Sequence, residues 1–263
     1  MDVEQGEHKM KPTLLSIAGF DPSGGAGILV DLKVFRDLGF HGAAAPTALT
    51  VQTTRTVERV ESVRPASFVR QIEALDGDLA VAGIKVGMAA TEANLYAVGR
   101  FIAAHPDIPR VIDPVFRSSS GKPLLDPKGR AAFVPALRGR ATVLTPNIDE
   151  AGFLAGLRVS TVEDMAFAAR VIAGELRFAC LVKGGHLEGE AVNVLFDGTK
   201  TFLYGRPRLK KDVHGTGCIF SAALLAYLSK GKDLPTAAAR AADFTHAAIA
   251  KAVRAGRGRP VYS

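Results

Sequence analysis

Short apolar runs recur along the chain, and between them apolar residues fall at helical intervals. TLLSIA at 13–18 is such a run and predicts a buried strand, which Gly19 ends. After FDPSGGAG, the stretch ILVDLKVFRDLG carries Ile28, Leu29, Leu32, Phe35 and Leu38 at helical spacing, with Gly39 placed to close a helix. AAAPTALTVQT and VERVESV predict strands, SFVRQIEALDGD a helix, VAGIKVG a buried strand and EANLYAVGRFIAAH a helix. RVIDP at 110–114 predicts a strand ending in a carboxylate, GRAAFVPALRG a helix, and ATVLTPN at 141–147 another buried strand. VEDMAFAARVIAGEL predicts an amphipathic helix and FACLVKGG at 178–185 a further buried strand. AVNVLFDGTKTFLYG reads as two strands about Asp197–Gly198, a hairpin signal. KDVHGTGCIFSAALLAYLSKG begins as a loop and continues as a helix, and LPTAAARAADFTHAAIAKAVRAG predicts a last helix. Strands alternate with helices and most strands are apolar throughout. That pattern predicts the α/β class, with a mainly parallel central sheet covered on both faces.

No composition break, linker or repeat divides the chain. The reading is a polar tail over 1–12, a single domain over 13–254 and a basic tail over 255–263 that frays. A length of 263 residues suits one α/β domain, and 48% apolar with 22% charged residues is an ordinary globular mix. Two cysteines are too few for a disulfide framework and point to a reducing cytoplasm. MDVEQGEHKMKP is polar and does not read as a signal peptide. No apolar stretch reaches the roughly 20 residues of a membrane span, so no membrane partner is expected.

The net charge of +7 comes from 33 Lys and Arg against 26 Asp and Glu. It permits nucleic-acid binding without requiring it. The local clusters RPRLKK (206–211) and KAVRAGRGR (251–259) are not interleaved with aromatic residues, as a single-strand platform requires. They read as solvated surface that attracts phosphate, and no nucleic-acid partner is expected.

Open α/β sheets bind ligands beyond the carboxyl ends of their strands. This sequence places polar groups there repeatedly: GFDPSGGAGILVD, Gln52, Lys85 to Met88, Asp113, Asn147 with Glu150, Lys183, and HGTGC at 214–218. In HGTGC, Gly215 and Gly217 permit a tight turn before an apolar helix. The first amides of a helix lack intrahelical partners and, with the helix dipole, attract anions. A thiol at that position is expected to be acidified by the same field, so Cys218 reads as chemical where Cys180, inside a strand, reads as core. The alternative for Cys218 is a small packing residue at a helix entry. Familiar phosphate and metal motifs are missing: there is no G-x-x-x-x-G-K-[ST], no G-x-G-x-x-G, no H-E-x-x-H and no paired C-x-x-C.

The segments SIAGFDPSGGAGILVDLKVF, ALTVQTT, KVGM, IDPV, LTPNIDEA, LVKGGH and HGTGCIFSAALLA come in an order and spacing that resembles the hydroxymethylpyrimidine/phosphomethylpyrimidine kinases of thiamin biosynthesis, within the ribokinase superfamily. The resemblance covers roughly residues 13–250. It implies a ribokinase-like three-layer sandwich and a kinase that uses ATP and Mg²⁺. Such an enzyme phosphorylates 4-amino-5-hydroxymethyl-2-methylpyrimidine and then its monophosphate. It further implies that Gly19, Asp31, Gln52, Met88 and Val115 hold the pyrimidine. Asn147, Lys183 and His214 would meet the nucleotide, and Asp113 and Glu150 the metal. Gly215, Thr216, Gly217 and Cys218 would supply the anion hole and catalytic cysteine. A homodimer is also implied.

Local readings stand beside these roles. Asp31 is equally a surface charge of its helix, Gln52 a polar strand end, Met88 core, and Glu150 an acid stabilised at a helix start. Asp212-Val213 before HGTGC and the three serines of FRSSSGKPLL depart from the family pattern. The nearest rival is a pyridoxal kinase, against which Gln52 and Met88 favour a pyrimidine. A non-catalytic nucleotide or vitamin sensor would have shed Asp113, Lys183 or the glycine turn, and all are present.

Overall fold

The computed structural model describes residues 10–185 and 190–263; His186 and most of the expected N-terminal tail lie outside them. The chain runs β1 (Thr13–Phe20), α1 (Gly27–Asp37), β2 (His41–Gln52), β3 (Val57–Ser62), α2 (Pro65–Asp78), β4 (Val81–Val86) and α3 (Glu92–Ala103). It continues through β5 (Arg110–Ile112), α4 (Pro127–Leu137), β6 (Val143–Leu144), α5 (Ile148–Ala155), α6 (Val162–Leu176) and β7 (Ala179–Gly184). The hairpin β8 (Ala191–Phe196) and β9 (Thr201–Arg206) precedes α7 (Thr216–Ser229) and α8 (Leu234–Lys251). The strands form one sheet in the order β3-β2-β1-β4-β5-β6-β7-β8-β9. Pairing is parallel from β2 to β7, while β3, β8 and β9 run antiparallel to their neighbours.

The apolar runs feed two cores because alternate residues of a strand face opposite ways. Leu15, Ile17, Ile112, Leu144, Cys180 and Val182 pack into the layer of α2 to α6. Their neighbours Leu14, Val111, Val143, Ala179 and Leu181 pack against α1, α7 and α8. The result is a three-layer sandwich, as the alternation predicts. β5 and β6 are shorter than RVIDP and ATVLTPN suggest. Pro114 and Pro146 lie just beyond them and offer no amide to extend the ladder. α5 has no counterpart in the hydrophobic reading. Its start is legible instead as a capping box: the Asn147 side chain accepts from the Glu150 amide at 2.9 Å, and Glu150 Oε2 accepts from the Asn147 amide at 2.8 Å.

The expected fraying of 255–263 is corrected by the structure. The segment returns to the body and pairs Val253 with Val261. The Gly258 amide donates to Thr54 Oγ1 at 3.0 Å, Lys33 Nζ donates to the Tyr262 carbonyl at 3.0 Å, and Arg259 pairs with Asp212 at 2.8 Å. Buried Val261 and Tyr262 give it an apolar anchor that a reading of its basic residues does not reveal. Among the described residues, no helix is long and apolar enough to cross a membrane.

Candidate active site

From β1 the chain winds outward to β2 and β3, then returns to place β4 on the other side of β1. The carboxyl ends of β1 and β4 therefore diverge, which is where such sheets open a crevice. A cavity of about 790 Å³ lies there. Of the residues singled out in the sequence, Gly19, Gln52, Met88, Asp113, Val115, Asn147, Glu150, Lys183, His214 and all of Gly215 to Cys218 line it. Asp31 does not.

Two helices begin at the cavity without a side-chain cap. α1 starts after Ala26, and α7 starts after Gly215, whose φ of 75° is left-handed. Elsewhere Thr91, Asp126, Asn147, Thr161 and Asp233 cap their helices with side-chain oxygens. The opening amides of α1 and α7 thus keep their capacity for an anion. A methyl at Gly215 would strike the Gly25 carbonyl oxygen, so only glycine lets the two starts approach.

Charged side chains gather on one side of α7. Lys183 Nζ donates to Asp113 Oδ1 at 2.5 Å, and Asp113 also accepts from Thr145 Oγ1 and Ser221 Oγ, each at 3.3 Å. A methyl at Gly217 would sit 3.0 Å from Lys183 Nζ and 3.6 Å from Asp113 Oδ2, which places the pair beside the first turn of α7. Glu150 is buried nearby. Burial pushes its carboxyl up to about 7; Lys183 draws it down and Asp113 pushes it further up.

A second group of side chains lines the same cavity. Met88 packs on Gly19, where a methyl would lie 2.8 Å from its sulfur. Gln52 Nε2 and Asp21 Oδ2 meet at His214 Nε2, at 3.1 and 3.2 Å, and Gln52 Oε1 accepts from Thr50 Oγ1 at 3.1 Å. Burial would raise the Asp21 carboxyl, but hydrogen bonds from His214 and Ser23 overcome it and hold the group below its usual range.

Two expectations change. Asp31 is neither a surface charge nor part of the cavity wall. It is fully buried, accepting from Ser16 Oγ at 2.5 Å and from Lys85 Nζ at 3.0 and 2.9 Å. Lys85, rather than Asp31, reaches the cavity. Nor is the Cys218 thiol acidified. Burial is the largest influence and pushes it up to about 11; Lys85 opposes, and Asp31 and Asp113 reinforce.

The sequence placed Lys85 and Asp21 among the polar strand ends and read RPRLKK and KAVRAGRGR as solvated surface that attracts phosphate, without giving any of them a role. Lys85, Asp21, Arg259 and the loop Arg206–Lys211 all reach the cavity. Lys85 had a signal: a lysine inside an apolar strand must be paired. Arg259 had none, because nothing local ties it to a site so distant in sequence.

A cavity of this size falls in the range of small-molecule sites. Comparisons with known proteins identify the family. The profile of the family described as phosphomethylpyrimidine kinase matches residues 21–262. A hydroxymethylpyrimidine/phosphomethylpyrimidine kinase from Rhizobium meliloti is 40% identical over 259 residues, covering 96% of this chain and 97% of that protein. The solved phosphomethylpyrimidine kinase from Clostridium difficile has a TM-score of 0.79 at 33% identity, over 90% of this chain and 99% of its own. The pyridoxal kinase from Staphylococcus aureus in complex with ADP has a TM-score of 0.88 at 31% identity, over 97% of this chain and 94% of its own.

Proposed function

The chain belongs to the phosphomethylpyrimidine kinase family, and from that premise we propose how its cavity carries the reaction. The protein is an ATP-dependent phosphotransferase of thiamine biosynthesis. It phosphorylates 4-amino-5-hydroxymethyl-2-methylpyrimidine, and then the monophosphate to the diphosphate. The observation that carries the assignment of roles is the meeting of two uncapped helix starts beside the Asp113–Lys183 pair, across one cavity from an amide and a thioether.

Phosphoryl transfer needs positioning and charge neutralisation more than covalent work. The amides of Thr216, Gly217 and Cys218 bind the oxygens of the transferred group, and they are pre-oriented because Gly215 fixes the turn. Lys183 adds a cation at the same point, and Asp113 orients it. Asn147 flanks the nucleotide, and His214, which meets Gln52 and Asp21, stands where the nucleotide and pyrimidine sides join. Asp113 and Glu150 fit Mg²⁺, which takes one or two carboxylates and otherwise keeps water and phosphate oxygens. Two neighbouring buried carboxylates, one raised to about 7, are a set that a divalent cation relieves. When bound, Mg²⁺ neutralises charge on the phosphates.

The pyrimidine lies against Gly19, Met88 and Val115, with Gln52 reading its polar edge. An amide offers a donor and an acceptor, as an aminopyrimidine does. Cys218 sits between the two ligands and receives the hydroxyl proton of the alcohol. The resemblance carries two further expectations, a homodimer and a cytoplasmic home.

The test is ATP consumption with hydroxymethylpyrimidine, its monophosphate and pyridoxal, side by side. The expected result is turnover of both pyrimidines with a higher kcat/KM than pyridoxal. A higher value for pyridoxal overturns the reading in favour of a pyridoxal kinase.

A further inference from the structure

Lys85 and Asp31 are a fully buried ion pair beneath the cavity, and the mechanism above does not use them. Burying two charges is costly, and such a pair is weak evidence for stability. Its location is specific. In β4, Ile84 and Val86 face the layer of α2 to α6, so Lys85 faces α1 and α7. Asp31 lies one helical turn beyond Gly27, on the same face of α1. Gly83 of β4 abuts Leu225 and Ser229 of α7, and Lys85 lies two residues further along β4, toward the start of that helix where Cys218 sits. Lys85, held by Asp31, and Cys218 thus reach the same cavity from β4 and from the first turn of α7.

Lys85 Nζ gives bonds to both Asp31 oxygens, and Asp31 is its only hydrogen-bond partner among the described residues. An ammonium has three donors, so one is left over. Lys85 and Gly87 both line the cavity. A methyl at Gly87 would lie 3.0 Å from Nζ, so that glycine clears the space over the ammonium.

We propose that Lys85 is a positioning residue for phosphoryl transfer, held by Asp31 so that its ammonium supports the Cys218 thiolate at the moment a proton must be accepted. This rests on the reading of Cys218 as proton acceptor. The thiol first releases its proton to solvent. The thiolate then takes the hydroxyl proton of the alcohol while the new O–P bond forms. The bond from the γ-phosphorus to the bridging oxygen breaks, and its electrons leave with ADP. Burial alone resists the first step. The charged groups acting on the sulfur are Lys85 from β4, Asp31 from α1 and Asp113 beyond β5; Lys183 of β7 stands by Gly217 and is held by Asp113. Of these, Lys85 is the cation with the largest influence on the thiol.

The test uses the full chain without substrate or metal. Iodoacetamide is applied at several pH values between about 7 and 9, and alkylation of Cys218 is followed by mass spectrometry, with fully buried Cys180 as an internal monitor of unfolding. Only the thiolate reacts, so the rate reports the thiolate fraction. Lys85→Met is expected to slow Cys218 by about tenfold or more at each pH, the equivalent of one pKa unit. Its kcat should fall while KM for ATP holds. Because Lys85→Met leaves Asp31 unpaired, the double variant Asp31→Asn/Lys85→Met is measured beside it. It should also slow Cys218, by a smaller factor, since the opposing carboxylate is gone too.

A purely structural role predicts the opposite sign, since a loosened site exposes both thiols and speeds their alkylation. If Lys85→Met unfolds, as reactive Cys180 would reveal, the double variant decides. An unchanged or faster Cys218 rate in a folded variant overturns the proposal. Failure of the premise is separately visible: Cys218→Ala would then keep wild-type kcat whatever the alkylation rates.

Discussion

Glu150 offers the sharpest test of the metal side of the cavity. Its carboxyl is buried against Asp113 and held up to about 7. A cation can bind there only after the proton leaves. One pH unit below that value about a tenth of the sites are ionised, and one unit above nearly all are. The half-saturating Mg²⁺ concentration of the wild type should therefore rise roughly tenfold between about pH 8 and pH 6. Glu150→Gln removes the titration while keeping the cap, because a glutamine oxygen can accept from the Asn147 amide as the carboxylate does. The variant should need more Mg²⁺ at pH 8 and show a flatter dependence on pH. ATP also titrates in this range, but equally for both proteins, so the difference between them isolates Glu150. The assay is initial rate against free Mg²⁺ at fixed saturating ATP, at each pH. Parallel curves for the two proteins would refute the argument.

The same group makes a second, metal-free prediction whose sign can be worked out. In the unfolded chain Glu150 loses its proton near its ordinary value of 4.5, but in the fold it keeps it to about 7. Between those values folding takes up a proton, so stability falls as pH rises through the window and the deficit is complete above it. Wild-type Tm should drop relative to Glu150→Gln from about pH 5 to pH 8, and an unchanged difference in Tm would contradict the burial argument.

Other outcomes follow from the same geometry. Gln52→Leu should raise KM for hydroxymethylpyrimidine about tenfold to hundredfold, from the roughly 1–3 kcal/mol cost of unpaired polar groups, with KM for ATP nearly unchanged in steady-state kinetics. Gly215→Ala forces a side chain into a left-handed backbone, at a cost of about 1–2 kcal/mol, and presses a methyl on the Gly25 carbonyl. Thermal unfolding should show a lower Tm and turnover should fall with it; an unchanged Tm would mean the turn relaxes freely.

Much of this architecture is legible in the chain because strands buried on both faces leave continuous apolar runs, and Leu14 and Leu15 show why, each serving a different layer. The cavity is legible for a related reason. Polar groups at strand ends converge by topology, so Asp113, Lys183 and Gly215 to Cys218 meet although they are far apart in sequence. What escaped is what three dimensions decide. The periodicity of α1 puts Asp31 three residues after Ile28 and four before Phe35, on the buried stripe, yet a carboxylate there reads as a surface charge until its partner is known. That partner is Lys85, on a strand 54 residues away. The thiol was misjudged for a comparable reason: a helix start favours the anion, but the enclosing layers α1 and β4 desolvate it, and desolvation wins.

The pairing of buried charges bears on how the cavity treats an arriving triphosphate. Lys85 is held by Asp31, and Lys183 by Asp113. Each pair is close to neutral, so the floor presents little net charge of its own. Attraction for the polyanion must then arise elsewhere. Part comes from the uncapped amides of α1 and α7, which act only at contact range. The rest would come from Arg208, Lys210 and Lys211, which also line the cavity and whose longer reach is limited by salt to about a Debye length. Capture and chemistry are thus assigned to different parts of the molecule. On the proposed reading the basic loop would gather the nucleotide, and Asp113 would keep Lys183 in a fixed place when it arrives. A floor with unpaired lysines would bind the triphosphate more strongly before reaction, but ground-state binding of that kind does not accelerate transfer. Pairing keeps Lys183 pre-oriented toward the place where charge develops on the phosphoryl oxygens, which is when its stabilisation counts.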